Sequence, residues 1–152
     1  MIKIKIALFS LLVWMSMVEI QAQDRLKMLP IESSIQGIRV FGKPVDNQTR
    51  CIHWHSDLDI IAIKFKCCDK YYPCFSCHEE EADHEHQVWP KAEFDQKAIL
   101  CGVCGNELSI ADYMASNNTC PHCQSGFNPG CSKHYHLYFE TGDQKIELPP
   151  LN

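Results

Sequence analysis

All ten cysteines of this 152-residue chain lie between Cys51 and Cys131. About one residue in eight of that stretch is therefore a cysteine, a density that restricts a small domain to a disulfide framework or to metal sites. The histidines discriminate between the two. His53, His78 and His84 are interleaved with the cysteines at ligand spacing, which a set of bridges leaves unexplained. The neighbours Cys67 and Cys68 do not easily reach each other within ordinary disulfide geometry. Metal is the better reading, and Cys with His in sets of four is the donor chemistry of zinc.

The strongest pattern is Cys101-Gly-Val-Cys104, then Cys120-Pro-His-Cys123, a C-x2-C-x15-C-x2-C spacing expected of a four-cysteine zinc site. Gly102 and Gly105 let the backbone turn tightly around a sulfur. Upstream, Cys51, His53, Cys67, Cys68, Cys74, Cys77, His78 and His84 supply two further tetrahedral shells, so three Zn2+ ions are expected. The preferred grouping is Cys51, His53, Cys74 and Cys77 on one ion, and Cys67, Cys68, His78 and His84 on another. Sharing of adjacent residues between these two ions stays open. Complete fours leave no position for substrate, and no H-E-x-x-H motif is present, so no enzyme is expected and no catalytic residue is named.

Other candidates are weaker. Cys131 and His134 form a C-x2-H pair that could join or replace a ligand, whereas His55, His86, His122 and His136 read as solvent-facing groups or neighbours of ligands. The acidic run Glu79, Glu80, Glu81, Asp83 and Glu85 reads as a solvated helix face able to touch His78 or His84. Trp54, Tyr71, Tyr72, Phe75, Trp89 and Phe127 are expected to wrap the sites and keep water out.

The fold expected is a small zinc-stabilised α+β domain over residues 38–142, with short strands and short helices around three tetrahedral zinc sites. Residues 38–41 and 59–66 alternate as strands, with Ile61, Ile63 and Phe65 on one face. Residues 78–88 suit a short exposed helix, Ser109 can cap another, and residues 134–140 read as a closing strand. Residues 23–37 read as a linker and 143–152 as a loose tail.

Residues 1–22 have the layout of a secretory signal: Lys3 and Lys5, an apolar run of about thirteen residues, then Ala22. That run is shorter than the roughly 20 residues of a membrane-crossing helix, so no stable membrane span is expected. A genuine leader implies a secreted or organellar protein, and a start at Met28 implies a cytoplasmic one. The formal charge of −5 and a pI near 5.9 oppose a nucleic-acid partner, which calls for a basic patch, and thiolates would add to the negative charge. A monomer that binds an unidentified protein is expected. The alternative is a thiol-redox or zinc-transfer helper acting on cysteine-rich proteins, using Cys101 with Cys104, or Cys67 with Cys68.

Residues Cys51-Ile-His53-Trp54-His55, Asp59 through Cys67-Cys68, Tyr71-Tyr72-Pro-Cys74-Phe-Ser-Cys77-His78, Cys101-Gly-Val-Cys104 and Cys120-Pro-His-Cys123 through Glu140 resemble the CHY-type zinc finger. The third letter of that family name is an aromatic, here Trp54. The resemblance implies a compact fold with three ions on the twelve ligands named above. Members that belong to ubiquitin ligases precede a RING, and nothing after Cys123 could supply one, since Cys131 is the last cysteine. The chain is more similar to small stand-alone members. Among the fungal ones is a helper of small Tim chaperone assembly in the mitochondrial intermembrane space, thought to act on the zinc and redox state of partner thiols.

Overall fold

The computed structural model describes residues 33–142. The expected leader and tail, and most of the expected linker, lie outside those residues. Six short strands form one sheet in the order β1-β2-β4-β3-β5-β6: β1 Ser33–Ile35, β2 Ile38–Val40, β3 Ile61–Lys64, β4 Tyr71–Tyr72, β5 Lys97–Cys101 and β6 Glu107–Ser109. Helix α1 is Phe75–Glu81 and α2 is Ile110–Ala115. Short 3-10 turns occupy Lys91–Glu93 and Pro129–Leu137.

The sheet begins inside the expected linker. Gln36 and Gly37 both take positive φ, 51° and 84°, the conformation of a two-residue turn whose twist matches that of the strands it joins. They fold β1 onto β2 with Ile35 opposite Ile38, so residues 33–37 belong to the domain.

At the centre, β3 pairs antiparallel with β5, placing Ile61 opposite Cys101 and Ile63 opposite Ile99. Alternation along β3 sorts the two faces as expected. Ile61, Ile63 and Phe65 join the main core with Ile99, Leu108, Ile110, Phe127 and Phe139. Ala62 turns the other way, into a smaller cluster with Ile35, Val40, Tyr71 and Leu100. Tyr71 therefore packs on the face away from that core rather than wrapping a metal group.

Two elements differ from expectation. Helix α1 starts at Phe75, because Cys74 is its N-cap and its sulfur accepts the Cys77 amide at 3.4 Å. The polar segment expected to be helical has left the helix by Ala82. Residues 134–140 are not a strand: Pro129 opens a run of 3-10 turns, with the Asn128 side chain accepting the Gly130 amide. Only Phe139 returns to an extended bridge, beside Trp89. Strands β4 and β6 are too short to show a period of two, and β5 is buried from Ala98 to Cys101 on both faces, so its residues do not alternate. The Ser109 cap is as expected, its hydroxyl accepting the Asp112 amide at 3.0 Å.

Candidate metal centres

Ligand positions are set by strand ends and by one recurring turn. In Cys101–Asn106 the first amide bonds the sixth carbonyl, the fifth amide bonds the first carbonyl, and Gly105 sits at φ 71°. Cys120–Ser125 repeats this pattern with Gln124 at φ 63°, and Phe65–Lys70 repeats it with Asp69 at φ 56°. The fourth position is a cysteine each time: Cys104, Cys123 and Cys68. The sequence signal for the third copy is hidden, since Phe65 stands where the other turns carry their first sulfur. Close packing also fixes Gly102, where a Cβ would collide with the carbonyl of Gln48.

The structure brings the twelve residues together in three groups of four, Cys51/His53/Cys74/Cys77, Cys67/Cys68/His78/His84 and Cys101/Cys104/Cys120/Cys123, with ligand atoms of each group within 4.8 Å of one another. This is the grouping preferred from spacing. A tetrahedral ion with bonds of about 2.3 Å to sulfur and 2.0–2.1 Å to nitrogen has S···S edges of about 3.8 Å and S···N edges of about 3.6 Å. The first group shows Cys51 and Cys74 sulfurs 3.7 Å apart, and His53 Nδ1 at 3.4–3.9 Å from its three sulfurs. In the third group the sulfurs of Cys101 and Cys123, and those of Cys104 and Cys120, are each 3.8 Å apart. In the second, Cys67 Sγ lies 3.3 Å from His78 Nε2. The donors and their spacing fit zinc, and each group could hold one ion. Cys131 and His134 join none of the groups.

Charge supports the same conclusion. Hydrogen bonding from Cys74 and then Cys77 pushes the Cys51 thiol down to about 2, while their bonds to Cys51 hold Cys74 far above its ordinary value and push Cys77 up to about 12. Three sulfurs this close share one negative charge unless a cation stands among them, and a divalent ion lets all three ionise. Burial holds His78 below its ordinary value, which favours the neutral imidazole a metal needs.

The acidic run has a larger role than a solvated face. His53 and His78 turn one ring nitrogen to their group and the other to a carboxylate, His53 Nε2 to Glu80 at 3.0 Å and His78 Nδ1 to Glu79 at 3.2 Å, and His84 Nδ1 lies 3.2 Å from Asp83. Such partners fix the tautomer and raise ligand basicity. Aromatic packing is equally selective. His78 is fully buried, stacked on Phe65 at 4.0 Å and met edge-on by Tyr72. Trp54, expected to shield a group, is 51% exposed instead.

Comparison with known proteins agrees with this geometry. The family model of the CHY zinc finger matches residues 51–135. The chain is 52% identical over 105 residues to Helper of Tim protein 13 of Saccharomyces cerevisiae, covering 67% of this chain and 90% of that protein. It is 44% identical over 110 residues to Helper of Tim protein 13 of Kluyveromyces lactis, covering 72% and 96%. An uncharacterised protein of Schizosaccharomyces pombe is 43% identical over 101 residues, covering 66% and 88%.

Proposed function

Because the chain belongs to the CHY zinc finger family, we propose that it is a structural zinc module that presents a non-catalytic surface to a partner protein. The observation that carries this is the completeness of the groups. Each has four donors, and every ligand histidine has a ring nitrogen facing a carboxylate. Zinc held this way contributes folding energy and offers no open coordination position.

The name of the two yeast relatives supports a partner among the Tim proteins. Together with the resemblance to stand-alone fungal members, it favours a role in their assembly and a place in the mitochondrial intermembrane space. Among the described residues no helix is long and apolar enough to cross a membrane.

A second reading, transfer of zinc or electrons to partner thiols, is favoured by one feature. The second group has no fully buried sulfur, whereas the first has three and the third has two, and its His84 side chain is 35% exposed, which makes its ion the most open of the three to a partner or oxidant. Native mass spectrometry of the full chain, beside thiol counting and a binding assay with a small Tim protein, tests both readings. Three zinc ions, reduced cysteines and direct binding support the module. Loss of one ion to mild peroxide, with zinc passed to an apo partner, favours transfer. Disulfides with no zinc would overturn both.

A further inference from the structure

The three groups differ in what their sulfurs can do to one another. In the first, Cys51 and Cys74 lie 3.7 Å apart, and in the third Cys101 faces Cys123 and Cys104 faces Cys120, each pair at 3.8 Å. The members of these pairs are 16 to 23 residues apart in the chain. Their sulfurs meet across separate segments, so each of these groups holds a thiol able to close a disulfide within the group.

The second group has only the sulfurs of Cys67 and Cys68. A trans peptide joins the two residues and sets their Cα atoms about 3.8 Å apart, below the range of about 4.4–6.8 Å that disulfides span. The backbone around them is tied down. The Phe65 amide donates to the Lys70 carbonyl at 3.0 Å, and the Cys68 and Asp69 amides donate to the Phe65 carbonyl at 3.4 and 2.9 Å. Phe65 itself is buried in the core, and Asp69 is held at φ 56°. The second group therefore has two thiols and no internal disulfide to close.

Of the two, Cys68 is the outer. It takes the fourth position of the turn, where Cys104 and Cys123 are half-buried while the first-position Cys101 and Cys120 are fully buried. The residues that follow it, Asp69 and Lys70, are exposed. The Cys67 sulfur instead lies 3.3 Å from Nε2 of His78, a fully buried ring.

We propose that Cys68 is a site of mixed-disulfide formation, which takes an accessible disulfide of a partner and keeps the adduct because Cys67 cannot expel it. The Cys68 thiol gives up its proton and its sulfur bonds one sulfur of the incoming disulfide. The S–S bond of that disulfide breaks, and the departing sulfur takes the electron pair and a proton. Cys68 is oxidised and the departing sulfur is reduced. In an ordinary dithiol the second sulfur attacks next and releases the adduct, a step that the adjacent pair cannot complete within disulfide geometry. The inference rests on the second reading above, in which partner sulfur meets this group, and specifies the residue and the product.

The test uses the full-length His84→Ala variant with its other two groups zinc-loaded, which leaves Cys67 and Cys68 in an incomplete set of donors. Glutathione disulfide is the probe, followed by alkylation and peptide mapping. One glutathione per chain is expected, on Cys68, with two ions retained. Cys68→Ser in the same background should abolish the adduct, and Cys67→Ser should leave its lifetime unchanged once free glutathione is removed. If His84→Ala holds fewer than two ions, wild type relieved of its fastest ion by a chelator takes its place. A disulfide between Cys67 and Cys68 with glutathione released, or adducts on Cys104 or Cys123 in place of Cys68, would overturn the proposal. Reaction with the disulfide dimer of a blocked Ser-Cys-Gly peptide as well supports a protein as the source, and reaction with glutathione disulfide alone supports a small molecule. If zinc passes to an apo partner while Cys68 stays free of adduct, the site is wrong and the transfer reading stands. If Cys68 carries glutathione but wild type exchanges neither zinc nor sulfur with a partner, the transfer reading is the one that fails.

Discussion

The second and third metal groups differ in what holds the ligands in place. The third is made by two copies of one hydrogen-bonded turn, with Cys101 at the end of β5 and Cys120 beyond α2, both fully buried. The second takes two adjacent cysteines from a single turn, one histidine from inside α1 and one from the segment after it, where the His84 side chain is 35% exposed. In the third group the polypeptide has most of the geometry built before an ion arrives. In the second, the ion itself must hold His84 in position. Zinc is thus part of the core in one group and a clasp in the other.

The largest expected effect follows from losing the core ion. Structural zinc contributes an apparent ~10–16 kcal/mol in small fingers, as much as the ~5–15 kcal/mol total stability of a typical domain. Cys120→Ser should therefore abolish near-ultraviolet circular dichroism and chemical-shift dispersion. His84→Ala should keep both signals and retain two ions by native mass spectrometry. Equal unfolding in the two variants would erase the distinction between core and clasp.

Release kinetics sharpen the same contrast without a change of fold. A chelator with a colorimetric readout should withdraw zinc from wild type in at least two phases, the fast one amounting to one ion. His84→Ala should remove that fast phase and leave the slow release unchanged. A single phase of three ions would mean that the groups open together.

Much of this contrast could be read from the ligand residues and little of it from their surroundings. Ligand identity is chemical: sulfur and imidazole at short spacing announce themselves, and counting the eight donors from Cys51 through His84 gives two shells, with their division between the ions no more than a preference until the fold is known. What the spacing did not contain was the third copy of the turn, because Phe65 replaces its first sulfur. It also missed β4 to β6, whose two to five residues carry too little alternation to register. Residues 134–140 alternate like a strand, but they continue a 3-10 run whose start Pro129 and the Asn128 side chain set, a local choice that overrides the pattern. The contacts of Glu79 and Asp83 with the neighbouring His78 and His84 were within reach of the sequence, whereas the role of Glu80 was not, because its partner His53 is distant in sequence.

The first group, between the two extremes, has a partner whose loss should register more weakly. Glu80 accepts from Lys43 Nζ at 2.6 Å and faces His53 Nε2 at 3.0 Å. Carboxylates in that position typically affect metal affinity by about 10–100-fold. Glu80→Gln should lower affinity for one ion within that range in competition titrations, with three ions still bound at saturating zinc. An unchanged affinity would show that His53 is oriented by its own loop.

That loop supplies the smallest effect and the clearest sign. The Asp46 carboxylate accepts from the Gln48 and Arg50 amides at 2.8 and 3.2 Å and from Arg50 Nη1 at 2.7 Å, while Arg50 also reaches the carbonyls of Ser56 and Asp57. These bonds frame the approach to Cys51 independently of metal. Burial opposes ionisation of Asp46, but the hydrogen bond from Arg50 and those from the two amides outweigh it and hold the carboxyl below its ordinary value of 3.8. A carboxylate depressed in the folded state stabilises fully above its unfolded value and loses that contribution only as pH falls through the lower folded one. Asp46→Asn should cost about 1 kcal/mol, the scale of a partly exposed hydrogen-bonded charge. The difference from wild type in zinc-saturated denaturation should stay flat from about pH 7 to about pH 5. A difference that already shrinks across that window would mean that a histidine, and with it the ion, is what the loop depends on.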